Sequence, residues 1–416
     1  MIMRVIVVSC VFPPEPVVSA QTSIQIAQNL INKGHKVSVF ASFPNRPGGS
    51  LFSGYKKKLY SRERTPNGFE LIRCFSTFSS NSSLISRFLE NISFGIVSGL
   101  AVLFSKRPDV VYSNTWPIFA TGLLFLITRL RRIPMIVSIQ DIYPESLIVQ
   151  SRIGEKSWIA RLLRWIDRYI ANGCQVVIVI SKHFEMIYCN HRKVPKEKVK
   201  YIPNWVDENT LEILPRSNEI FKLHDVPDER FLLVYGGNVG VAAKVEVVIE
   251  AFRYLEQFEK FYLLIAGEGN NLESCQKLAQ KVNPVHIKFH NPWYEEETST
   301  ILGLADVLVL PTQGNQSLAS VPSKLISYML SARPVLAQVF PESEVAEIIE
   351  NSGCGWIVDP EQPELLASKI IKVSKLDPEE LIRRGLSGRR YALANLSQKA
   401  NLPKIISVIE HAASII

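Results

Sequence analysis

At 416 residues, with 47% hydrophobic and 21% charged side chains, the chain has the length of two ordinary globular domains and the apolar content to give each a core. That composition excludes a disordered or fibrous protein. The net charge of +8 conceals an asymmetry: residues 1–205 carry 27 Lys and Arg against 11 Asp and Glu, and the remainder 20 against 28, so a half at +16 is joined to one at −8. A basic half points to an anionic partner, whether nucleic acid, lipid headgroups or a phosphorylated acceptor.

The opening run Val5–Ser9 is too short for a signal-peptide core and ends in Phe12-Pro13-Pro14-Glu15-Pro16, so it predicts a buried first strand. Further strands are expected at Lys36–Ser42, Glu70–Phe75, Asp109–Asn114, Met135–Asp141, Gln175–Ser181 and Lys200–Pro203, with amphipathic helices such as Ala20–Lys33 and Trp158–Gly173 between them. Near-continuous Val/Ile runs mark strands covered on both faces, as in a parallel sheet. The segment Phe43–Phe69, with Lys56, Lys57, Lys58, Arg62 and Arg64, breaks the alternation and reads as one long loop. The apolar stretches Ile92–Phe104 and Ile118–Ile127 fall short of the ~18–20 residues of a membrane span and read as core helices.

After a polar stretch from Asn204 to Asp228 the pattern restarts. Strands are expected at Phe231–Tyr235, Tyr262–Ala266, His286–His290, Val307–Leu310, Pro334–Ala337 and Gly355–Val358, and residues beyond Leu376 read as helices. Two series of β-α-β units imply two doubly wound α/β domains facing a cleft, with chemistry in the loops after the strands. The domains expected are residues 1–210 and 211–390, followed by a terminal helix over 391–416. Six scattered cysteines without a C-x-x-C pair suggest free thiols in a reducing compartment. His183, Cys189 and His191 lack a fourth ligand at zinc spacing, so no metal is expected there.

Two loops are suited to phosphate. Tyr235-Gly236-Gly237-Asn238-Val239-Gly240 follows a strand and lets backbone N–H groups approach an anion, although glycine turns after strands are common. In Ser320-Val321-Pro322-Ser323-Lys324-Leu325, Pro322 suits a helix start, where Ser323 and Lys324 would join the helix dipole; the alternative is an ordinary capped helix. In the first half, Asn114-Thr115-Trp116-Pro117 and Gln140-Asp141-Ile142-Tyr143-Pro144-Glu145 follow strands, and Asp141 and Glu145 either act on a hydroxyl or cap the next helix. The chain has no D-x-D triplet with which to hold a metal on a diphosphate.

With these motifs in this order, joined by Lys33-Gly34-His35-Lys36-Val37, Ile202-Pro203-Asn204-Trp205-Val206-Asp207, Ala266-Gly267-Glu268-Gly269 and Arg333-Pro334-Val335-Leu336-Ala337, nearly the whole chain resembles the retaining glycosyltransferases of family 4, of GT-B fold. It is most similar to the branch that builds bacterial capsule, O-antigen and exopolysaccharide repeats on lipid carriers. The resemblance implies a nucleotide-sugar donor in the second domain, an acceptor in the first, and a final helix that crosses back. It also implies front-face displacement in which the leaving diphosphate helps deprotonate the acceptor. The family's paired glutamates fall on Ala319 and Ser327, its histidine on Gln140, and the basic residue of its glycine loop on Asn238, leaving Lys244 and Lys324 as the cations.

The expected enzyme is a metal-independent, cofactor-free hexosyl- or N-acetylhexosaminyltransferase, peripheral at the cytoplasmic face of a membrane and acting on a lipid-linked saccharide. Gln140 and Asp141 are the catalytic candidates. Gly237, Asn238, Lys244, Ser323, Lys324 and Ser327 would hold the donor with Asn291 and Trp293 at its base, and Glu15, Ser19 and Asn114 would line the acceptor side. An epimerase or hydrolase of the same fold, and a catalytically weakened relative, are the alternatives. A nucleic-acid partner is not expected, because no helix-turn-helix or aromatic RNA platform is present.

Overall fold

The computed structural model describes the whole chain apart from residues 1, 47, 80–82, 115–116, 150–151, 215–225, 228, 256–257, 284, 315–317, 319–320 and 415–416. Thr115, Trp116, Ala319, Ser320 and much of the Asn204–Asp228 stretch therefore lie outside the described residues. The chain forms two compact units, residues 1–204 with 401–416, and residues 205–400. The first boundary falls before Trp205 rather than after residue 210, and the return to unit 1 begins at Asn401 rather than at 391.

Unit 1 is built on eight strands: β1 (Arg4–Ser9), β2 (Lys36–Ser42), β3 (Tyr60–Arg64), β4 (Glu70–Cys74), β5 (Val110–Ser113), β6 (Met135–Ile139), β7 (Val176–Val179) and β8 (Val199–Tyr201). They lie in the order β3-β4-β2-β1-β5-β6-β7-β8, parallel except for β3 against β4. Strand β3 sits inside the stretch expected to be loop. Its sequence YSRER has no apolar face to bury, and its residues alternate between exposed and half-exposed, as a charged edge strand requires.

Helices α1 (Val18–Asn32), α2 (Leu84–Phe104), α3 (Ile118–Leu130), α4 (Glu145–Val149), α5 (Trp158–Gly173) and α6 (Lys182–Met186) join these strands. Helix α2 is longer than its apolar run because Ser83 caps it about two turns earlier, accepting from the Ser86 N–H at 3.1 Å. At 21 residues it is long and apolar enough to cross a membrane, although a third of that span is buried within the protein. It packs closely on α3: a Cβ on Gly95 would stand 2.8 Å from the Ala120 Cα.

Unit 2 has six strands: β9 (Phe231–Gly236), β10 (Phe261–Ala266), β11 (Ile287–His290), β12 (Val307–Pro311), β13 (Val335–Gln338) and β14 (Gly355–Val358), in the parallel order β11-β10-β9-β12-β13-β14. Its helices are α7 (Val245–Ala251), α8 (Leu272–Val282), α9 (Thr298–Leu304), α10 (Ser323–Leu330), α11 (Glu344–Ser352), α12 (Pro363–Val373) and α13 (Pro378–Asn395). The last helix, α14 (Gln398–Ser414), starts in unit 2 and ends in unit 1, where Glu410 meets Lys33 at 3.0 Å. All six cysteines are free thiols.

Candidate functional site

Ligands of parallel sheets gather past the carboxyl ends of the strands, where strand order reverses. In unit 2 that place lies between β9 and β12. These strands pair only at Leu233–Val307 and Val234–Leu308, so Tyr235 and Gly236 run on without a partner from β12. Gly237 then turns the chain at φ +146°, a conformation that suits glycine. Its N–H donates to the Ala266 carbonyl at 2.9 Å, and the Val239 N–H to the Glu268 carbonyl at 2.7 Å, which lash the turn to the loop after β10. From α10, the Tyr328 hydroxyl accepts from the Gly236 N–H at 2.9 Å and donates to the Gly236 carbonyl at 3.0 Å.

Over this turn lies Lys324. A Cβ on Gly237 would collide with the lysine's Cε and Cδ, so only glycine leaves the stem its path. The ammonium stands 5.7 Å from the centre of the Tyr235 ring. Burial lowers its pKa below the ordinary lysine value, and no neighbouring charge offsets that effect. Ser323 and Lys324 open α10, whose N-cap Pro322 supplies no side-chain acceptor, so among the described residues no side chain caps its first turn. Ser327 follows one turn on.

The other candidate cation, Lys244, adopts a left-handed conformation and is paired, its Nζ 3.4 Å from Glu361 Oε2. Trp293 lies against the end of β9: a Cβ on Gly236 would stand 3.1 Å from its ring. Its Nε1–H is buried without an acceptor. An orphan donor costs about 1–3 kcal/mol until something accepts from it. Asn291 and Asn238 are exposed.

In unit 1 strand order reverses between β1 and β5. A buried polar knot fills the reversal. Asn114 Nδ2 donates to Ser23 Oγ at 2.8 Å, Ser23 Oγ to the Ser19 carbonyl at 2.7 Å, and Ser9 Oγ to the Asn114 carbonyl at 3.2 Å. Gln140, just past β6, joins it by donating to Asn114 Oδ1 at 3.3 Å and Ser138 Oγ at 3.0 Å, while its Oε1 accepts from Asn204 at 2.9 Å. Asp141 leaves the knot. It shares a pocket of about 520 Å³ with Arg46, Arg87, Arg152, Tyr143 and Phe88. Burial pushes its carboxyl up to about 6.

Two family models account for most of the chain: one described as Glycosyltransferase Family 4 matches residues 20–210, and one described as Glycosyl transferases group 1 matches residues 216–386. The chain is a glycosyltransferase of the GT-B fold. It is 25% identical to glycosyltransferase WbjE of Pseudomonas aeruginosa over 340 residues, covering 81% of this chain and 83% of that one. It is 22% identical over 414 residues to WcaI of Escherichia coli K12, named for colanic acid biosynthesis, covering 98% of this chain and all of that one. A solved structure of Anabaena Alr3699/HepE in complex with UDP superposes with a TM-score of 0.71 at 13% identity, covering 98% and 100% of the two chains.

Within this glycosyltransferase the donor candidates Gly237, Ser323, Lys324 and Trp293 converge at one strand reversal, whereas Lys244 is engaged by Glu361. Three first-half expectations change. Glu15 is 0% exposed, and its two oxygens accept from the N–H groups of Phe12, Asn45 and Arg46 at 2.9–3.1 Å, so it braces loops rather than touching an acceptor. Asn114 is 1% exposed with its carboxamide spent inside the knot. Gln140 likewise has both amide atoms committed, which makes it a positioning group. Ser19 offers its carbonyl to the knot and keeps a half-exposed hydroxyl in the first turn of α1.

Sequence reading missed Tyr328, Glu361 and Arg73. Tyr328 sits four residues after Lys324 among apolar neighbours and reads as core. Arg73, 1% exposed in the apolar strand ELIRC, was the legible signal: a buried arginine there must bind something. It donates to the Ser42 carbonyl at 3.0 Å and to the Pro13 carbonyl, between the rings of Phe12 and Tyr55.

Proposed function

We propose that this glycosyltransferase takes a hexosyl or N-acetylhexosaminyl group from a nucleoside-diphosphate sugar held in unit 2. It delivers that group, with retention and without a metal ion, to a lipid-linked saccharide in the synthesis of a surface polysaccharide. The observation that carries the donor half is the Lys324 ammonium, buried beside a helix start that no side chain caps and with no offsetting charge among the described residues. A buried cation without a counter-ion is stabilised when an anion arrives, and a diphosphate spanning the glycine turn and the helix start supplies two charges. Trp293, against the end of β9, has a buried N–H with no acceptor among the described residues. Among the described residues no three His, Cys, Asp or Glu side chains converge to hold a metal.

The acceptor half rests on independent support. WbjE and WcaI are both named as glycosyltransferases, and WcaI is named for colanic acid biosynthesis. Asp141 lies just past the carboxyl end of β6 and burial raises its carboxyl to about 6, which suits a proton acceptor for a sugar hydroxyl. Stabilisation of the departing diphosphate by preorganised donors supplies most of the acceleration. Membrane placement is supported by the basic first half and by Trp158 and Trp165, 68% and 62% exposed on α5.

The test is a thermal-shift screen of UDP-, GDP-, ADP- and dTDP-sugars in excess EDTA, followed by turnover with and without acceptor. One nucleotide class is expected to raise Tm, since a ligand at one hundred times its Kd adds about 2.7 kcal/mol. Absence of a shift with every nucleotide would remove the donor reading. Full turnover without any acceptor would make the protein an epimerase or hydrolase.

A further inference from the structure

A large cavity in unit 1 lies away from the carboxyl edge of its sheet. It has a volume of about 780 Å³, within the ~300–1,000 Å³ of ligand sites. Its floor is one face of the sheet, made by Ile6 of β1, Ser38 and Phe40 of β2, and Ile72 of β4. Its wall is a single stripe of α2, namely Val97, Leu100, Ala101 and Phe104, at the i, i+3, i+4, i+7 spacing of one helix face. Leu59 and Tyr60 close it from the β3 side.

Two properties of its mouth identify the occupant. The apolar side chains there are left in solvent: Phe104 is 83% exposed, Leu59 65% and Leu100 47%. Three cations, Arg4, Arg62 and Lys106, line the same opening with one carboxylate, Glu70, which faces Arg62 at 3.8 Å, and a second carboxylate, Asp109, accepts from the Arg4 backbone N–H at 2.6 Å. The side chains of Arg4 and Lys106 have no acidic partner among the described residues. Greasy walls under a rim with an excess of basic side chains match an anionic amphiphile: chain inside, phosphate at the rim.

Arg4 begins β1, whereas the site loops follow its other end, so the rim and the candidate site are separated by the length of a six-residue strand, about 20 Å. The occupant is therefore not the acceptor. We propose that this groove takes one acyl chain of an anionic phospholipid from the bilayer, with the lipid phosphate held by Arg4 and Lys106, and so fastens unit 1 to the membrane. This rests on the membrane placement proposed above and adds a defined lipid site to it.

The experiment uses the full chain without vesicles, so that groove binding and surface adsorption are read separately. Isothermal titration with dihexanoyl-phosphatidylglycerol, kept below its micellar concentration, is expected to show saturable binding. Dihexanoyl-phosphatidylcholine should bind at least tenfold more weakly, and glycerol 3-phosphate not detectably. Ser38→Phe fills the floor and should abolish binding. Because that variant risks misfolding, Phe104→Ser and the Arg4→Gln/Lys106→Gln double variant, both at the rim, should each weaken it about tenfold with Tm unchanged. No binding of phosphatidylglycerol by the native chain, or equal binding by native and rim variants, overturns the site. Glycerol 3-phosphate binding as tightly as the lipid would reduce it to an anion site and also overturns the proposal. Co-sedimentation with vesicles judges the membrane reading by itself, and a chain that sediments yet binds no short lipid loses only the groove.

Discussion

The Lys324 side chain occupies the space that a β-carbon on Gly237 would need, so the glycine turn after β9 and the start of α10 form one unit. Lys324→Ala is expected to weaken nucleoside diphosphate binding by the value of a charge-assisted bond, ~1.5–3 kcal/mol, and leave nucleoside binding unchanged. Titration calorimetry with both ligands checks it, and equal losses would place the lysine away from the phosphates. In the absence of ligand, Lys324→Met should raise stability, because it removes a buried charge that nothing compensates.

Gly237→Ala brings two costs at once, a left-handed backbone at φ +146° and the overlap with Lys324. Donor affinity should fall at least as far as in Lys324→Ala, since the lysine must leave its path. If affinity in Gly237→Ala is native, the lysine does not act from the position described.

Asp141 ties activity and stability to pH. Its carboxyl titrates at about 6 in the folded chain, against 3.8 in an unburied reference. Below both values the group is protonated in either state and costs nothing. Between them the unfolded chain has ionised and the folded one has not, so stability falls as pH rises, and above 6 the full penalty stands, on the order of 3 kcal/mol. Asp141→Asn should therefore stabilise the protein in urea titrations at pH 7.5 and do little at pH 3.5. Its kcat should drop ~10²-fold or more if Asp141 accepts the proton of the acceptor hydroxyl. Equal stabilisation at both pH values would show that the side chain keeps its charge through the window.

Activity should persist in excess EDTA, because the donor site as described uses a lysine and backbone N–H groups. Loss of activity on chelation, restored by Mg²⁺ or Mn²⁺, would overturn a metal-free mechanism.

Binding to vesicles is expected to require anionic lipid and to be reversed by salt, as the Debye length shrinks to ~3 Å at 1 M. Each basic residue near an anionic leaflet contributes ~1 kcal/mol, so replacing Lys56, Lys57 and Lys58 by Gln should weaken sedimentation markedly. Trp158→Ser with Trp165→Ser should weaken it without a change in Tm, since both indoles are exposed. Equal binding to neutral and anionic vesicles at low salt would remove the electrostatic part of the membrane reading.

Most strands were legible because burial on both faces writes itself as Val/Ile runs: Lys36–Ser42 and Gly355–Val358 fall where expected to the residue. Strand β3 was not, because an edge strand of YSRER buries nothing that sequence can show. Lys324 and Gly237 were legible as types, a cation at a helix start and a glycine after a strand, although the contact between them was not. Asn114 and Gln140 misled for a physical reason. A polar residue just past a parallel strand has the same signature whether it meets a ligand or ties two loops together, and only the hydrogen-bond partners separate the two cases.

Glu15 holds N–H groups from the turn that follows β1 and from the stretch that follows β2 on a single carboxylate. Anyone wishing to retune acceptor choice by grafting residues 43–59 from a relative inherits that junction. A donor sequence whose backbone cannot present two amides to residue 15 would leave a buried anion half-solvated and distort the neighbouring turn as well. Swaps that carry residues 12–16 and 43–59 together keep that junction intact, which makes the pair, rather than either segment, the exchangeable module.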